Sequence, residues 1–360
     1  MPRLDEDITL PNGAVMKNRF MLAPMTNKQS HEDGTLSDDE LHWLVKRARG
    51  DFAAVMTCAA NVQKNGKTWT GELGIYSDEH IEGLKALTEA IHGEDSLALM
   101  QIFHGGLRAS REINGGLQPV APSDDESEDA RGLGTDEVRQ LVKDFISAAV
   151  RSKKAGFDGI EVHGAHGYII TQFLSTEFNR RDDEYGGSFE NRSRLLMEII
   201  AGIRRACGDD FILGLRLSPE GNGLDFGEMH SLAAELLRSE AVDFLDMSLW
   251  DCFKYPDDPA YGEKPLLEWY TDLSRGQVPL GVAGKLRSAE DVQRVIDRGA
   301  DFALIGRGAI LHHDFPRLAI GDAGFSSREL PVSADTLRDE GLSKTFIDYM
   351  SRWEGFVKHD

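Results

Sequence analysis

Two imidazoles and a phenol fall within six residues in the run Glu161-Val162-His163-Gly164-Ala165-His166-Gly167-Tyr168. Histidines three apart can share a metal ion, but no third ligand at a suitable spacing accompanies them, and no metal site is expected. Two imidazoles can equally donate hydrogen bonds to one oxygen of a bound ligand, while a buried histidine often does no more than satisfy itself. Tyrosine, with an ordinary pKa of about 10, stays protonated at neutral pH and can donate that proton. Spacing alone leaves these uses open.

A second pattern is Val282-Ala283-Gly284-Lys285 followed, about twenty residues on, by Ile305-Gly306-Arg307-Gly308. Glycine lets backbone N–H groups approach an anion, and the helix N-terminus that follows adds partial positive charge. A basic residue follows a glycine in both stretches, so a phosphate site is expected there; tight turns are the plainer account. Arg216, inside Leu213-Gly214-Leu215-Arg216-Leu217, sets a permanent cation in an apolar run, where it is costly. It either pairs with Glu161 or Asp246 or stabilises an anionic ligand.

These groups need a frame that brings them together. Apolar runs predict eight strands: Phe20–Ala23, Ala53–Cys58, Ala98–Phe103, Gly159–His163, Ile212–Leu217, Phe244–Ser248, Pro279–Val282 and Phe302–Ile305. Amphipathic stretches between them predict helices over Ser37–Ala48, Asp78–Ile91, Asp136–Lys154, Asn191–Cys207, Glu228–Ser239, Leu266–Leu273 and Ala289–Arg298, with a last one from Gly308. Ser37 with Glu40 reads as a capping box, and Ser288-Ala289-Glu290 opens a helix in a similar way. No GxGxxG follows the first strand, so the α/β class expected is a closed (β/α)8 TIM barrel rather than an open nucleotide-binding sheet. Its C-terminal strand ends would then carry Pro24, Met25, Thr26, Ala59, Gln101, His163, His166, Tyr168, Arg216, Gly284, Lys285, Gly306 and Arg307. Convergence at seven strand ends is a stronger signal than any single motif. Residues 1–325 are expected to form one barrel domain and 326–360 a C-terminal extension with a short helix over Leu342–Phe356.

Composition narrows the partners. With 40 basic and 61 acidic residues the formal charge is −21, which argues against nucleic acid and against an anionic membrane surface. No apolar run approaches the roughly 18 residues that cross a bilayer. Met1–Leu10 has no apolar signal core, and the three cysteines, Cys58, Cys207 and Cys252, are scattered. A cytoplasmic setting is expected; a homo-oligomer stays open.

The chain resembles the Old Yellow Enzyme family of FMN-dependent NADH:flavin oxidoreductases and ene-reductases. The resemblance rests on Lys17-Asn18-Arg19-Phe20 leading into Ala23-Pro24-Met25-Thr26, and on the long stretch from Ala155 through Tyr168, Gln172-Phe173-Leu174-Ser175 and Asn179-Arg180-Arg181 to Glu190-Asn191-Arg192. The two glycine-basic stretches complete it. It implies FMN across the C-terminal strand ends, with Pro24, Met25 and Thr26 near N5 and O4 and Ala59 against the ring. Gln101 and Arg216 would bind the N1, O2 and N3 edge; Gly284, Lys285, Gly306 and Arg307 would hold the phosphate. NADH or NADPH would reduce the flavin. An electron-poor alkene would follow, held by His163 and His166 and protonated by Tyr168. Lys28, Trp250 and Tyr255 are expected to shape the substrate space. The resemblance also brings up a C-terminal arginine that enters a neighbouring subunit's site in one branch, with Arg352 as the counterpart to consider.

Rival readings are a nitroester or xenobiotic reductase, or a demethylase-like enzyme, on the same barrel. Further off stand a flavin-free phosphate-binding isomerase or aldolase, a metal-dependent hydrolase on the two histidines, and a non-catalytic flavin-binding module.

Overall fold

All eight apolar runs become parallel strands in the computed structural model, which describes residues 2–358. They are β1 (Phe20–Leu22), β2 (Ala54–Met56), β3 (Leu97–Phe103), β4 (Gly159–Gly164), β5 (Ile212–Leu217), β6 (Phe244–Ser248), β7 (Leu280–Ala283) and β8 (Phe302–Ile305). The neighbour order β2-β1-β8-β7-β6-β5-β4-β3, with β3 also paired to β2, closes the sheet into a barrel. Both faces of each strand are covered, and this is why they read as continuous apolar runs rather than alternating ones.

A helix follows each strand: α1 (Asp38–Arg49), α2 (Ile81–His92), α3 (Thr135–Lys154), α4 (Phe189–Cys207), α5 (Phe226–Arg238), α6 (Leu266–Thr271), α7 (Ala289–Asp297) and α8 (Phe315–Gly321). Caps set several of their starts. α4 begins before Asn191 because the Ser188 side chain accepts from the Asn191 N–H at 3.3 Å. At α7 the box is complete: Ser288 Oγ accepts from Asp291 N–H at 3.0 Å, and Asp291 Oδ2 accepts from Ser288 N–H at 3.1 Å. At α1 only half of the expected box forms. Ser37 caps Glu40 N–H, but the Glu40 carboxylate turns inward to accept from Asn27 and Ser30 under the loop after β1. The run from Gly308 divides into a short helix, Arg307–Leu311, and α8.

The periodicity does not reveal the N-terminal hairpin, Ile8–Thr9 against Val15–Met16. Its Ile8, Leu10 and Met16 cluster with Met21, Leu99, Ile212, Phe244 and Phe302, and so plug the N-terminal mouth of the barrel. The opposite, C-terminal mouth is left for the site. After β8 the tail packs into the main core through Leu337, Phe346, Met350 and Phe356. It forms two short helices, Ala334–Asp339 and Lys344–Met350, where one was expected over Leu342–Phe356. Gly341, at φ +88°, turns the chain between them, and Ser343 caps the second. All three cysteines are buried and free. Among the described residues no helix is long and apolar enough to cross a membrane.

Candidate active site

Strand register lays down the floor of the site. Gln101 on β3 faces Glu161 on β4, His163 faces Arg216 on β5, and Arg216 faces Asp246 on β6. Gln101 Nε2 donates to Glu161 Oε1 at 2.6 Å, and Arg216 Nε lies 2.9 Å from Asp246 Oδ2. Arg216 is therefore paired within the barrel, as a buried guanidinium must be, and yet it also lines the cavity above. Burial, and then the Asp246 carboxylate, push Glu161 above the usual carboxylate range, with Arg216 opposing. Burial raises Asp246 too, again against Arg216.

Above this floor β4 ends in a tight turn. His166 sits at φ +63° and Gly167 at φ +76°; for a non-glycine residue that conformation costs roughly 1–2 kcal/mol. The turn sets the His163 and His166 rings 5.0 Å apart, with the Tyr168 ring 5.2 Å from His163. His166 Nε2 lies 2.7 Å from Ser248 Oγ at the end of β6, and its N–H donates to Ser218 Oγ at 3.1 Å. The Nδ1 of His163 is buried without a partner among the described residues.

Electrostatics leave the two imidazoles neutral and the phenol protonated. Burial, then the nearby His166 and Arg216, hold His163 well below the ordinary value. Burial, then Arg216 and Arg108, lower His166 to about 3. Burial pushes Tyr168 up to about 12, with the Arg108 charge opposing. Each neutral imidazole keeps one N–H to donate, and the phenol keeps its O–H.

These groups share a cavity of about 60 Å³ lined by Pro24, Thr26, Ala59, Trp69, Gln101, His163, His166, Tyr168 and Arg216. A groove of about 510 Å³ shares Pro24, Thr26, His166 and Arg216 with it and runs past Met25 to Gly284, Lys285, Gly306 and Arg307. At that far end the cations divide. Lys285 Nζ is 2.9 Å from Asp251 Oδ2, while Arg287 and Arg307, among the described residues, have no carboxylate within ion-pair distance. Burial, then Arg287, lower Arg307, as expected of two like charges turned towards one space. A Cβ on Gly284 would lie 2.9 Å from the Cys252 nitrogen, so only glycine lets the loops meet there. A polar edge at one end, an apolar slot and two unpaired guanidiniums at the other fit a planar heterocycle carrying a phosphate.

The residues expected to shape the substrate space scatter. Trp250, at φ +61° and 71% exposed, lines the groove. Tyr255 is exposed and lines neither space. Lys28 stands back from both, its ammonium 5.1 Å from the Tyr349 ring centroid, and Arg352 is exposed nearby, its charge acting on Lys28. Four contributors escape the sequence reading. Trp69 stacks on Phe103 at 5.8 Å from an irregular loop with no periodic signal. Tyr349 and Met350 reach the groove from the tail. Arg287 had a signal, since it is the second basic residue in Lys285-Leu286-Arg287. The metal-spaced grouping among the described residues is His313, Asp314 and Glu340, not the site histidines; Glu340 already accepts from Arg328 and His313.

Comparison with known proteins shows the family of the chain. A family profile described as NADH:flavin oxidoreductase / NADH oxidase matches residues 4–319. The probable NADH-dependent flavin oxidoreductase of Bacillus subtilis is 36% identical over 314 residues, 84% of each chain. The NADH:fumarate oxidoreductase of Klebsiella pneumoniae is 34% identical over 94% of this chain, which spans only 38% of that longer relative. Among solved structures, an old yellow enzyme homologue from Zymomonas mobilis superposes with a TM-score of 0.81 at 28% identity, covering 96% of this chain and 99% of that one. The chain belongs to the NADH:flavin oxidoreductase / NADH oxidase family, as an FMN-dependent, NAD(P)H-using oxidoreductase of the Old Yellow Enzyme kind.

Proposed function

We propose that this enzyme reduces activated C=C bonds, such as those of enones, enals, nitroalkenes and maleimides. The observation that carries the reading is the meeting of Tyr168, His163 and His166 in one cavity with Gln101 and Arg216. FMN, when bound, would supply the hydride, with NADH or NADPH as the source of its electrons. Pro24, Met25, Thr26 and Ala59 would frame its ring, and Gln101 and Arg216 would bind its pyrimidine edge. Gly284, Gly306 and Arg307 would hold its phosphate with Arg287, while Lys285 fixes the loop through Asp251. His163 and His166 donate hydrogen bonds to the carbonyl or nitro oxygen and so draw charge away from the alkene. Tyr168 holds its proton where the carbon next to that activating group would receive it. Trp69 walls the cavity, backed by Phe103, which packs against Trp69, His163 and Tyr168.

The test separates the two half-reactions. Purified protein should show flavin absorbance that bleaches when NADPH or NADH is added without oxygen. Tyr168→Phe should leave that bleaching rate nearly intact and slow reoxidation by an enone by roughly 10²–10⁴-fold, the range of general acid catalysis. Equal slowing of both steps would remove Tyr168 from the role of proton donor.

A further inference from the structure

A cation stands against Tyr168 with no carboxylate at ion-pair distance among the described residues to neutralise it. Arg108 lies with its guanidinium carbon 5.6 Å from the Tyr168 ring centroid. One of its N–H groups donates to Asn222 Oδ1 at 3.1 Å; among the described residues no acidic side chain is within ion-pair distance of it. It presses on the turn that carries the site, since a Cβ on Gly167 would come within 2.8 Å of its Nη2. Acidic partners are not scarce in a chain of charge −21, and Arg111, on the same loop, pairs with Asp129 at 2.7 Å. Further off, Lys28 is held at φ +61° with its ammonium on the Tyr349 ring and, among the described residues, likewise without a carboxylate at ion-pair distance. Tyr349 in turn lies close enough to Tyr168 to bear on its ionisation. The proton donor thus has one free cation, Arg108, against its ring.

We infer that the alkene reduced here carries a carboxylate on the side away from its activating carbonyl, and that Arg108 binds it and sets this specificity. The inference rests on the function proposed above. Guanidinium supplies a planar pair of N–H donors matched to a carboxylate, and Arg108 has donors to spare. A carboxylate conjugated to the alkene cannot itself be the activating group, because its charge opposes hydride addition. The activating oxygen therefore goes to His163 and His166, and the anion to the mouth. Substituted 4-oxo-2-enoates have this arrangement. The pyrophosphate of NADH or NADPH is the other oxyanion that visits the site, and its contribution can be separated.

The experiment compares trans-4-oxo-2-pentenoate with its methyl ester, which lacks the charge and has the intrinsically more reactive alkene, so the acid-to-ester ratio is read in native and variant enzyme alike. Both are offered to holoenzyme reduced with NADPH, and reoxidation is followed by stopped flow. Removing a hydrogen bond to a charged group costs about 1.5–3 kcal/mol, so Arg108→Gln should lower the acid-to-ester ratio of kcat/KM by roughly ten- to a hundredfold. Arg108→Lys should restore part of the ratio, and added salt should erode it in the native enzyme. The inference is overturned if Arg108→Gln leaves the ratio unchanged by lowering both equally, or if it weakens only the NADPH-dependent step. Turnover of the ester reports separately on the proposed function: if NADPH bleaches the flavin but neither compound reoxidises it, that reading fails and this one with it.

Discussion

Burial acts in opposite directions on the imidazoles and the phenol of the site, yet leaves all three uncharged and able to donate hydrogen. His163 and His166 are pushed down because a charged imidazolium would lose its hydration beside Arg216. Tyr168 is pushed up to about 12 because a phenolate would lose its own. The consequence is a proton donor that does not titrate in the working range. The rate of flavin reoxidation by a neutral enone should therefore stay flat from roughly pH 6 to pH 10, since both depressed histidines lie below that window and the phenol above it. Stopped-flow reoxidation across this range checks it. A fall centred between pH 8 and pH 9 that disappears in Tyr168→Phe would mean that the phenol ionises far more easily than its burial allows. The residues behind this argument were legible in sequence because one turn carries them, so adjacency in the chain became adjacency in space. Trp69 was not, because nothing local distinguishes an indole that lines a cavity from one on any loop. Arg216 was half legible: its cost in an apolar strand announced a partner, but only strand register selected Asp246 over Glu161.

At the level of elements, side-chain caps decide where the loops that carry the site end. Ser37 and Ser288 look alike in sequence, each followed three residues later by an acid. In the fold Asp291 returns to its cap, while Glu40 is drawn inward to satisfy Asn27 and Ser30 beneath the loop of Thr26 and Lys28. Local sequence contains no record of that competition, because the winning partners come from a different turn of the chain. The complete box at Ser288 directly follows Arg287 and fixes where the groove's far wall becomes helix. Ser288→Ala should cost about 1 kcal/mol of stability, the usual loss for a serine N-cap. A lower urea midpoint for the apoprotein, with the same slope, is the expected result. Arg287→Gln, in contrast, should raise the FMN dissociation constant while leaving the apoprotein midpoint in place. An unchanged midpoint in Ser288→Ala would show that the helix start is set by packing of Val292 and Val295 rather than by its cap.

At the scale of the whole molecule, closure of eight strands was legible because their apolar runs and the helices between them repeat in register. The plug under the barrel and the division of the tail were not, since two-residue strands and a turn at Gly341 leave no periodic trace. The same closed interior makes stability depend on acid through groups buried without charge. His104, fully buried at the end of β3, accepts from Gly106 N–H through Nδ1 at 3.0 Å, and burial alone lowers its pKa to about 3. In the unfolded chain it titrates at the ordinary 6.5. Between these values the unfolded state holds a proton that the folded state does not, so folding stability falls as pH drops through 6.5 towards 3. Glu72 works the other way: burial raises it to about 8 from an ordinary 4.5, so its contribution is largest at low pH and declines as pH rises through that interval. The two overlap, and the total slope would not isolate either. Replacing His104 with Asn keeps an acceptor for Gly106 and removes the titration. Around pH 5 the native protein should then lose stability on acidification more steeply than His104→Asn by close to one proton, or about 1.4 kcal/mol per pH unit. Urea midpoints of both proteins at several values between pH 5 and pH 8 give that difference directly. The curves should converge in slope above pH 7, where neither state of the imidazole is charged. Parallel curves through the acid range would mean that His104 meets water or a counter-charge on protonation without unfolding, and that this end of β3 opens more readily than its packing implies.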